Sequence, residues 1–573
     1  MKRLMKYIRP QLWYIVVAMA IKFVATYAEL WIPSLMETML DEKVPAKDVG
    51  QIYLYGGLML LAAVVGFAMN ICANRMTAFS SGRITKAIRH DLFDKLQRLS
   101  ARQMDELTVP SAESRLTSDT YNVNQVLTRL QRMGIRGPIL LIGGIFMLVQ
   151  MDATLALILV GLLPLITLVI LFVTSRSLPM YTKQQKVLDR VVRVVQENIT
   201  GVRVVKALSK TEYEKERFGG VNQELSDISQ RAGMITSITG PVTTVVLRVG
   251  LTLVVLLGAY RVNSGEIEPG VIMAALQYFI MIINATAGVT RIFVMLSRGE
   301  ASAKRVADVL DLPEDMEIMP GQAEEANAPH IAFRNVSFSY TGVGKNIENL
   351  SFQLEHGQTL GILGSTGSGK STILNLLMRL YDVDEGQVLL DGQDVRTIPN
   401  EQLREKFGVV FQNDFLTGGT IAQNIRFFRD VEDAQLEQAA QHAQAAGFIA
   451  EKDGGMDAEV VLRGNNLSGG QKQRLLIARA LAANPEILVL DDASSALDYK
   501  TDSDLRRALR ENYRNTTTVL VTQRVSSLKH ADLILVLHDG CVIGAGTHEQ
   551  LMESCEEYQS IARTQMGDGK EVS

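Results

Sequence analysis

Little in this chain points to secretion or to nucleic acid. Three cysteines in 573 residues, Cys72, Cys541 and Cys555, are scattered and odd in number. They offer neither a disulfide framework nor a metal-ligand spacing, and a reduced, cytosol-facing compartment fits them. Long basic runs are absent and the net charge is −4, so nothing selects a nucleic acid as partner. The basic N-terminus is not followed by a short apolar core and a small-residue cleavage site, so no cleavable signal is expected. Repeats of 20–50 residues and low-complexity tracts are lacking as well, which removes solenoid architectures.

Apolar sequence, by contrast, is abundant. A hydrophobic share of 47% and a positive mean hydropathy are high for a chain that also carries a soluble half, and 573 residues exceed one ordinary domain. Six stretches approach the ~20 apolar residues needed to cross a bilayer: Leu12–Leu40, Ile52–Ala73, Gly134–Gln150, Thr154–Val173, Ile235–Ala259 and Val271–Val294. The joins after the first, third and fifth are short. Those after the second and fourth are long, helical in pattern and rich in Lys and Arg, which places them on the inner face. Residues Met1–Pro10, with Lys2, Arg3, Lys6 and Arg9, read as an amphipathic segment on that same surface.

Lys22, Glu29, Arg248 and Arg291 lie within the spans, where each charge costs roughly a few kcal/mol. Lys22 and Glu29 are two helical turns apart and share a face. With Gln277 and Asn284 these residues either line a substrate path or pair helices together. A Pro-, Gly- and Glu-rich linker, 311–330, separates a membrane domain, 1–310, from an α/β domain, 331–573, whose end, Gln565–Ser573, reads as a mobile tail.

The α/β domain is organised around GSTGSGKS. The apolar strand Thr359–Leu363 leads into Gly364, Ser365, Thr366, Gly367, Ser368, Gly369, Lys370 and Ser371, and a helix follows from Thr372. G-x-x-x-x-G-K-S between a strand and a helix is a phosphate-binding loop. Its glycines let successive N–H groups face an anion, and the helix N-terminus adds partial positive charge. Lys370 reaches the outer phosphates, and the Ser371 hydroxyl can ligate Mg²⁺. Downstream, Ile487-Leu488-Val489-Leu490 is a buried strand that delivers Asp491 at its C-terminal end, placed to hold Mg²⁺ through water. Between them, Leu467-Ser468-Gly469-Gly470-Gln471 opens another helix. It is either a helix cap or a second anion site, and a second anion site would serve a nucleotide held by another chain.

In order, GSTGSGKS, Gln412 after an apolar strand, LSGGQ, ILVLD and SALD resemble the nucleotide-binding domain of an ABC transporter. Six spans with two long cytoplasmic hairpins resemble an exporter half-transporter. The resemblance implies ATP and Mg²⁺ as ligands, with Tyr340 on adenine and Gln412 at Mg²⁺. It also implies that Ser468, Gly469, Gly470 and Gln471 clamp the γ-phosphate of ATP on the opposite chain, and that Asp498 couples the two sites. Short helices near Ser118–Asn124 and Lys210–Glu214 would dock on the soluble domains.

Three departures stand out. The family's glutamate after the Mg²⁺ carboxylate is Asp492 here, one methylene shorter. Its switch histidine is Gln523, an amide that carries no charge. Its Glu-Arg-Gly before LSGGQ reads Leu462-Arg463-Gly464. Two of the three fall on one ATP site while LSGGQ is intact, which is similar to one chain of a heterodimeric multidrug exporter. The expectation is a subunit of the bacterial plasma membrane, binding ATP at a degenerate site and moving drug-like amphipathic compounds with a second half-transporter. Lipid flipping, peptide export, import, and a membrane-anchored ATP-binding regulator stay open as alternatives.

Overall fold

The computed structural model describes residues 4–314, 316–321 and 328–566, with the side chains of residues 170, 239, 287–294, 297, 298 and 566 outside that description. The chain divides into two units. One is Met1–Gln97 with Val109–Leu312; the other is Arg98–Thr108 with Pro313–Ser573.

The first unit is helical throughout. Its longer helices are α1 (Leu12–Thr38), α2 (Val49–Gln97), α4 (Thr120–Met133), α5 (Arg136–Met151), α6 (Ala153–Ala207), α7 (Thr211–Ser237), α8 (Thr239–Asn263) and α9 (Pro269–Leu310), while α3 (Ala101–Leu107) belongs to the second unit. Among the described residues six helical stretches are long and apolar enough to cross a membrane. Their outward faces carry exposed Leu61, Phe67, Leu157 and Leu168, suited to lipid rather than water. Inward, Leu30, Leu148, Leu155, Tyr278, Phe279 and Ile282 form a shared core. The buried Tyr278 hydroxyl donates to the Leu30 carbonyl at 2.7 Å, so its polar tip is satisfied. Gly250 lets α8 and α9 approach closely: a Cβ there would meet Phe279 Cζ at 2.5 Å, the role small residues play between membrane helices.

The first long hairpin does not turn where the sequence suggested. Ser118 and Asp119 end a π-helical turn that runs directly into α4, which includes Thr120–Asn124. The chain breaks instead at Arg98–Ser100, where Ser100 and Gln103 cap α3 reciprocally, and again at Thr108, whose φ is +61°. The second hairpin turns at Leu208–Lys210, between α6 and α7.

The second unit builds two main sheets and a two-stranded one, Gly419–Thr420 with Glu459–Val460. β1 (Ile331–Phe338), β2 (Ile347–Leu354) and β4 (Glu385–Leu390) pair antiparallel in the order β2-β1-β4, with a two-residue strand, Gln393–Asp394, beside β4. The larger sheet holds β3 (Thr359–Gly364), β5 (Phe407–Val410), β6 (Ile487–Asp491), β7 (Thr517–Val521), β8 (Leu533–His538) and β9 (Cys541–Gly546) in the order β9-β8-β3-β7-β6-β5. All neighbours are parallel except β9. Parallel strands are covered on both faces and read as continuous apolar runs, and β6 is buried at all five residues. The C-terminal ends of β3, β6 and β7 therefore emerge side by side. Its helices include α10 (Lys370–Leu377), α11 (Gly469–Leu481), α12 (Tyr499–Asn512), α13 (Val525–Leu528) and α14 (Glu556–Met566). Gln565, expected in a mobile tail, sits in the last turn of α14; residues 567–573 lie outside the described residues.

Candidate functional site

Where β3 ends, Gly367 and Gly369 take φ of +86° and +100°, a region that L side chains avoid. A Cβ at Gly369 would meet Ile347 Cδ1 at 2.6 Å and the Asn346 carbonyl at 2.8 Å. Only glycine fits, and the loop opens into the N-terminus of α10. Lys370 Nζ donates to the carbonyls of Gly364 at 2.9 Å and Ser365 at 2.7 Å, so the ammonium is held over the cradle. Burial keeps its pKa below the ordinary lysine range, against the pull of Asp491 and Asp492.

Ser371 Oγ donates to Asp491 Oδ2 at 2.9 Å. The hydroxyl and carboxylate expected at Mg²⁺ thus face one another, one from the start of α10 and one from the end of β6. Both are oxygen ligands of the hard kind Mg²⁺ takes, and the donor set fits. Burial raises the pKa of Asp491; the Ser371 hydrogen bond works against that shift and Asp492 adds to it. Asp492 follows in the left-handed region, φ +50°, its N–H donating to the Val521 carbonyl at 2.9 Å. Burial raises its pKa too, opposed first by Arg524 and then by Lys370.

Register brings the two altered positions together. β6 and β7 pair Leu490 with Leu520 and Asp491 with Val521, so Asp492 and Gln523 leave neighbouring strands at the same end. Gln523 also lines a cavity of about 220 Å³ with Ser365 and Thr366. Tyr340 stands beside α10, its hydroxyl accepting from Asn375 Nδ2 at 2.9 Å and its ring edge-on to Tyr381, 5.0 Å between centroids. Thr372 is buried in the first turn of α10. Gln412 lies exposed two residues beyond β5, on the far side of β6 from β7.

At LSGGQ the helix-cap reading describes the geometry seen. Ser468 Oγ accepts from Gln471 N at 3.3 Å, and Gln471 Oε1 accepts from Ser468 N at 3.1 Å. Gly469 and Gly470 pack on the SALD segment: a Cβ on Gly470 would lie 3.1 Å from the Ala496 carbonyl. Gln473, which the sequence reading passed over, ties these motifs together. It accepts from Ala496 N at 2.9 Å and donates to Ser495 Oγ at 3.0 Å. Asp498 caps α12 through Thr501. Gln565 was also missed: its Oε1 accepts from Val525 N at 2.8 Å.

Among the described residues the membrane charges Lys22 and Glu29 find separate hydrogen-bond partners. Lys22 donates to Asn70 and, at 3.3 Å, to Asn74, both on α2. Glu29 pairs with Arg136 of α5 at 2.8 Å, a partner outside the expected set. Gln277 contacts Met36 Sδ at 3.6 Å. Arg248 and Asn284 are exposed, and the Arg291 side chain lies outside the described residues.

Comparison with known proteins agrees with this architecture. Residues 13–286 match the ABC transporter transmembrane region and residues 347–495 match the ABC transporter ATPase family. An uncharacterised ABC transporter ATP-binding protein of Mycobacterium tuberculosis is 31% identical over 573 residues, covering 98% of this chain and 97% of that one. The uncharacterised YfiB of Bacillus subtilis is 32% identical, covering 99% of each. The ATP-dependent lipid A-core flippase of Vibrio cholerae is 30% identical over 99% of this chain and 98% of its own. A bacterial Atm1-family ABC exporter with ATP bound shares the fold, with a TM-score of 0.83 at 23% identity over 97% of this chain and 100% of that one.

Proposed function

This chain belongs to the ABC transporter family, and we propose that it is the slow-hydrolysing half of a heterodimeric exporter. It is a multi-pass protein of the bacterial inner membrane whose ATP-binding domain faces the cytoplasm. In this reading 1–310 is the membrane domain, 311–330 the linker and 331–573 the ATPase.

Its own site holds ATP with the loop N–H groups and Lys370 at the phosphates and Tyr340 at the base. Ser371 and Asp491 hold Mg²⁺, with Gln412 nearby; the ion, when bound, neutralises phosphate charge and polarises the phosphoryl oxygens. Asp492 is the base position and Gln523 the switch. A base one methylene short holds its carboxylate back from the attacking water, and a misplacement near 1 Å costs on the order of 10²-fold. Ser468 and Gly470 serve the partner's nucleotide. The Ser468–Gln471 capping box then opens, or shares its donors, when that nucleotide arrives.

The observation that carries this reading is the pairing of β6 with β7. Both altered residues, Asp492 and Gln523, leave adjacent strands beside one phosphate loop, whereas LSGGQ, which acts on the other nucleotide, is unaltered. Loss sorted to one site favours asymmetry. A homodimer would carry aspartate and glutamine at both sites and turn over slowly. Small amphipathic, drug-like compounds are the proposed cargo. The likeness to a lipid A-core flippase favours lipid as the second candidate.

The test is reconstitution of both chains in sealed vesicles. Asp492→Ala should lower ATP turnover far less than loss of the partner's glutamate, while Ser468→Arg should stop it almost completely. Equal losses from Asp492→Ala and the partner change would overturn the division of roles. Fluorescent drug and labelled lipid, offered separately, distinguish the two cargo classes.

A further inference from the structure

Behind the nucleotide motifs, on the α12 side of the larger sheet, lies a cavity of about 370 Å³. Its apolar wall is contributed by Leu490 and Ala493 at the end of β6, Leu520 of β7, Leu505 and Leu509 of α12, and Ala531 beyond α13, while Ser494, Thr518, Ser527 and His530 are among the polar side chains that line the rest. That volume is within the range of small-ligand sites.

The charges at this cavity are not balanced. Arg506 is committed: it pairs with Asp502 at 2.8 Å and donates to the Ser526 carbonyl at 2.8 Å. Asp532 accepts from Thr359 N at 2.7 Å. Arg510 and Arg514 also line the cavity, are exposed, and have no ion-pair partner among the described residues. A cavity with an apolar patch on one wall and two unpaired guanidiniums at its rim suits one ligand class. We propose that the cavity binds a small amphipathic organic anion, with the apolar body against Leu505, Leu509 and Leu520 and a carboxylate between Arg510 and Arg514. Arginine is the side chain best matched to a carboxylate, which it can bind through two parallel hydrogen bonds.

The place matters for regulation. The same walls carry β6, which delivers Asp491; α12, which Asp498 caps; and the segment that follows Gln523. Arg506 already links α12 to that segment through Ser526. An occupant wedged beside Arg506 touches three nucleotide motifs at once without contacting ATP. The site is thus a cytoplasmic sensor of amphipathic anions, separate from any cargo path through the membrane, and its existence does not depend on which chain hydrolyses ATP.

The experiment is photolabelling of the full chain in lipid nanodiscs with a diazirine-bearing decanoate, followed by peptide mass spectrometry. Labelled peptides are expected from Leu505–Arg514 and Ser527–Asp532. Excess decanoate should compete, and decanol or decyltrimethylammonium at the same concentration should compete at least tenfold less well. Arg510→Glu with Arg514→Glu, both exposed and away from the nucleotide, should cut this labelling about tenfold while labelling within the membrane spans is unchanged. Labelling confined to the spans, equal labelling in the charge-reversed protein, or equal competition by decanol would each overturn the proposal. Loss of ATP turnover in any variant has no bearing on this readout.

Discussion

Ser371 and Asp491 are 120 positions apart in sequence, and the hydroxyl of one donates to the carboxylate of the other at 2.9 Å. Because burial raises the Asp491 pKa, its ionised form is held at a cost when no cation is present. The sign follows: a carboxylate whose folded pKa lies above its unfolded value favours folding at low pH, and that contribution is lost as pH rises through the folded value. Asp491→Asn should therefore raise the melting temperature of the nucleotide-free protein at pH 7.5 by about 2 °C or more, roughly what 1 kcal/mol does in a domain of this size. It should also abolish the further rise on adding Mg-ATP. Melting followed by intrinsic fluorescence, with and without Mg-ATP, measures both. A lower melting temperature without nucleotide would contradict the argument.

Restoring the missing reach should restore turnover. Asp492→Glu combined with Gln523→His is expected to raise phosphate release at this chain's own site by about tenfold or more, a barrier change of about 1.4 kcal/mol. The assay needs a partner whose own glutamate has been removed, so that only one site is counted. An unchanged rate would mean that side-chain length at Asp492 does not limit hydrolysis.

Gln565 spans the switch from behind. Its Nε2 donates to the Gln523 carbonyl at 2.6 Å while its Oε1 accepts from Val525 N at 2.8 Å. This amide is a positioning residue, acting through the backbone of Gln523 rather than on ATP. With the partner's glutamate removed so that only this chain's own site is counted, Gln565→Ala should lower kcat about three- to tenfold with KM for ATP unchanged, and Gln565→Glu, which keeps the acceptor, should fall between. A matched loss in KM would point instead to general damage of the fold.

Within the membrane unit, Glu29 and Arg136 form a cross-helix pair. Removing one partner leaves a lone charge, so Arg136→Met should cost at least ~1 kcal/mol more in the wild-type background than in Glu29→Gln. Melting of the four proteins of the cycle in one detergent gives the number. Additive costs would show that the pair is not coupled.

The phosphate loop, the Mg²⁺ carboxylate and six apolar spans were legible because each is local. A glycine pattern between strand and helix, four apolar residues before an aspartate, and runs of bilayer length all declare themselves within a few residues. Contacts that depend on register or on distant packing did not. Nothing near Gln473 announces Ser495 and Ala496, and Gln565 reads as tail because the short stretch GDGKEVS follows soon after. Arg136 lies at the very start of the third apolar stretch, Gly134–Gln150, and was passed over there. The first hairpin tip did carry a signal, the Ser100 and Gln103 capping pair; the helical pattern on either side of it obscured the break.

Residues Arg98–Thr108 are followed and preceded by membrane helices, yet they group with the ATPase. The Tyr381 hydroxyl donates to Asp105, Gln103 Nε2 reaches the Pro313 carbonyl at 3.3 Å, and Arg98 lies 3.8 Å from Glu314. A gene fragment starting at Pro313 would consequently encode an incomplete body, with Tyr381 stripped of its acceptor. Whoever cuts this transporter at Pro313 for biochemistry would leave behind the short helix Ala101–Leu107 and the contacts it makes with residues beyond the cut.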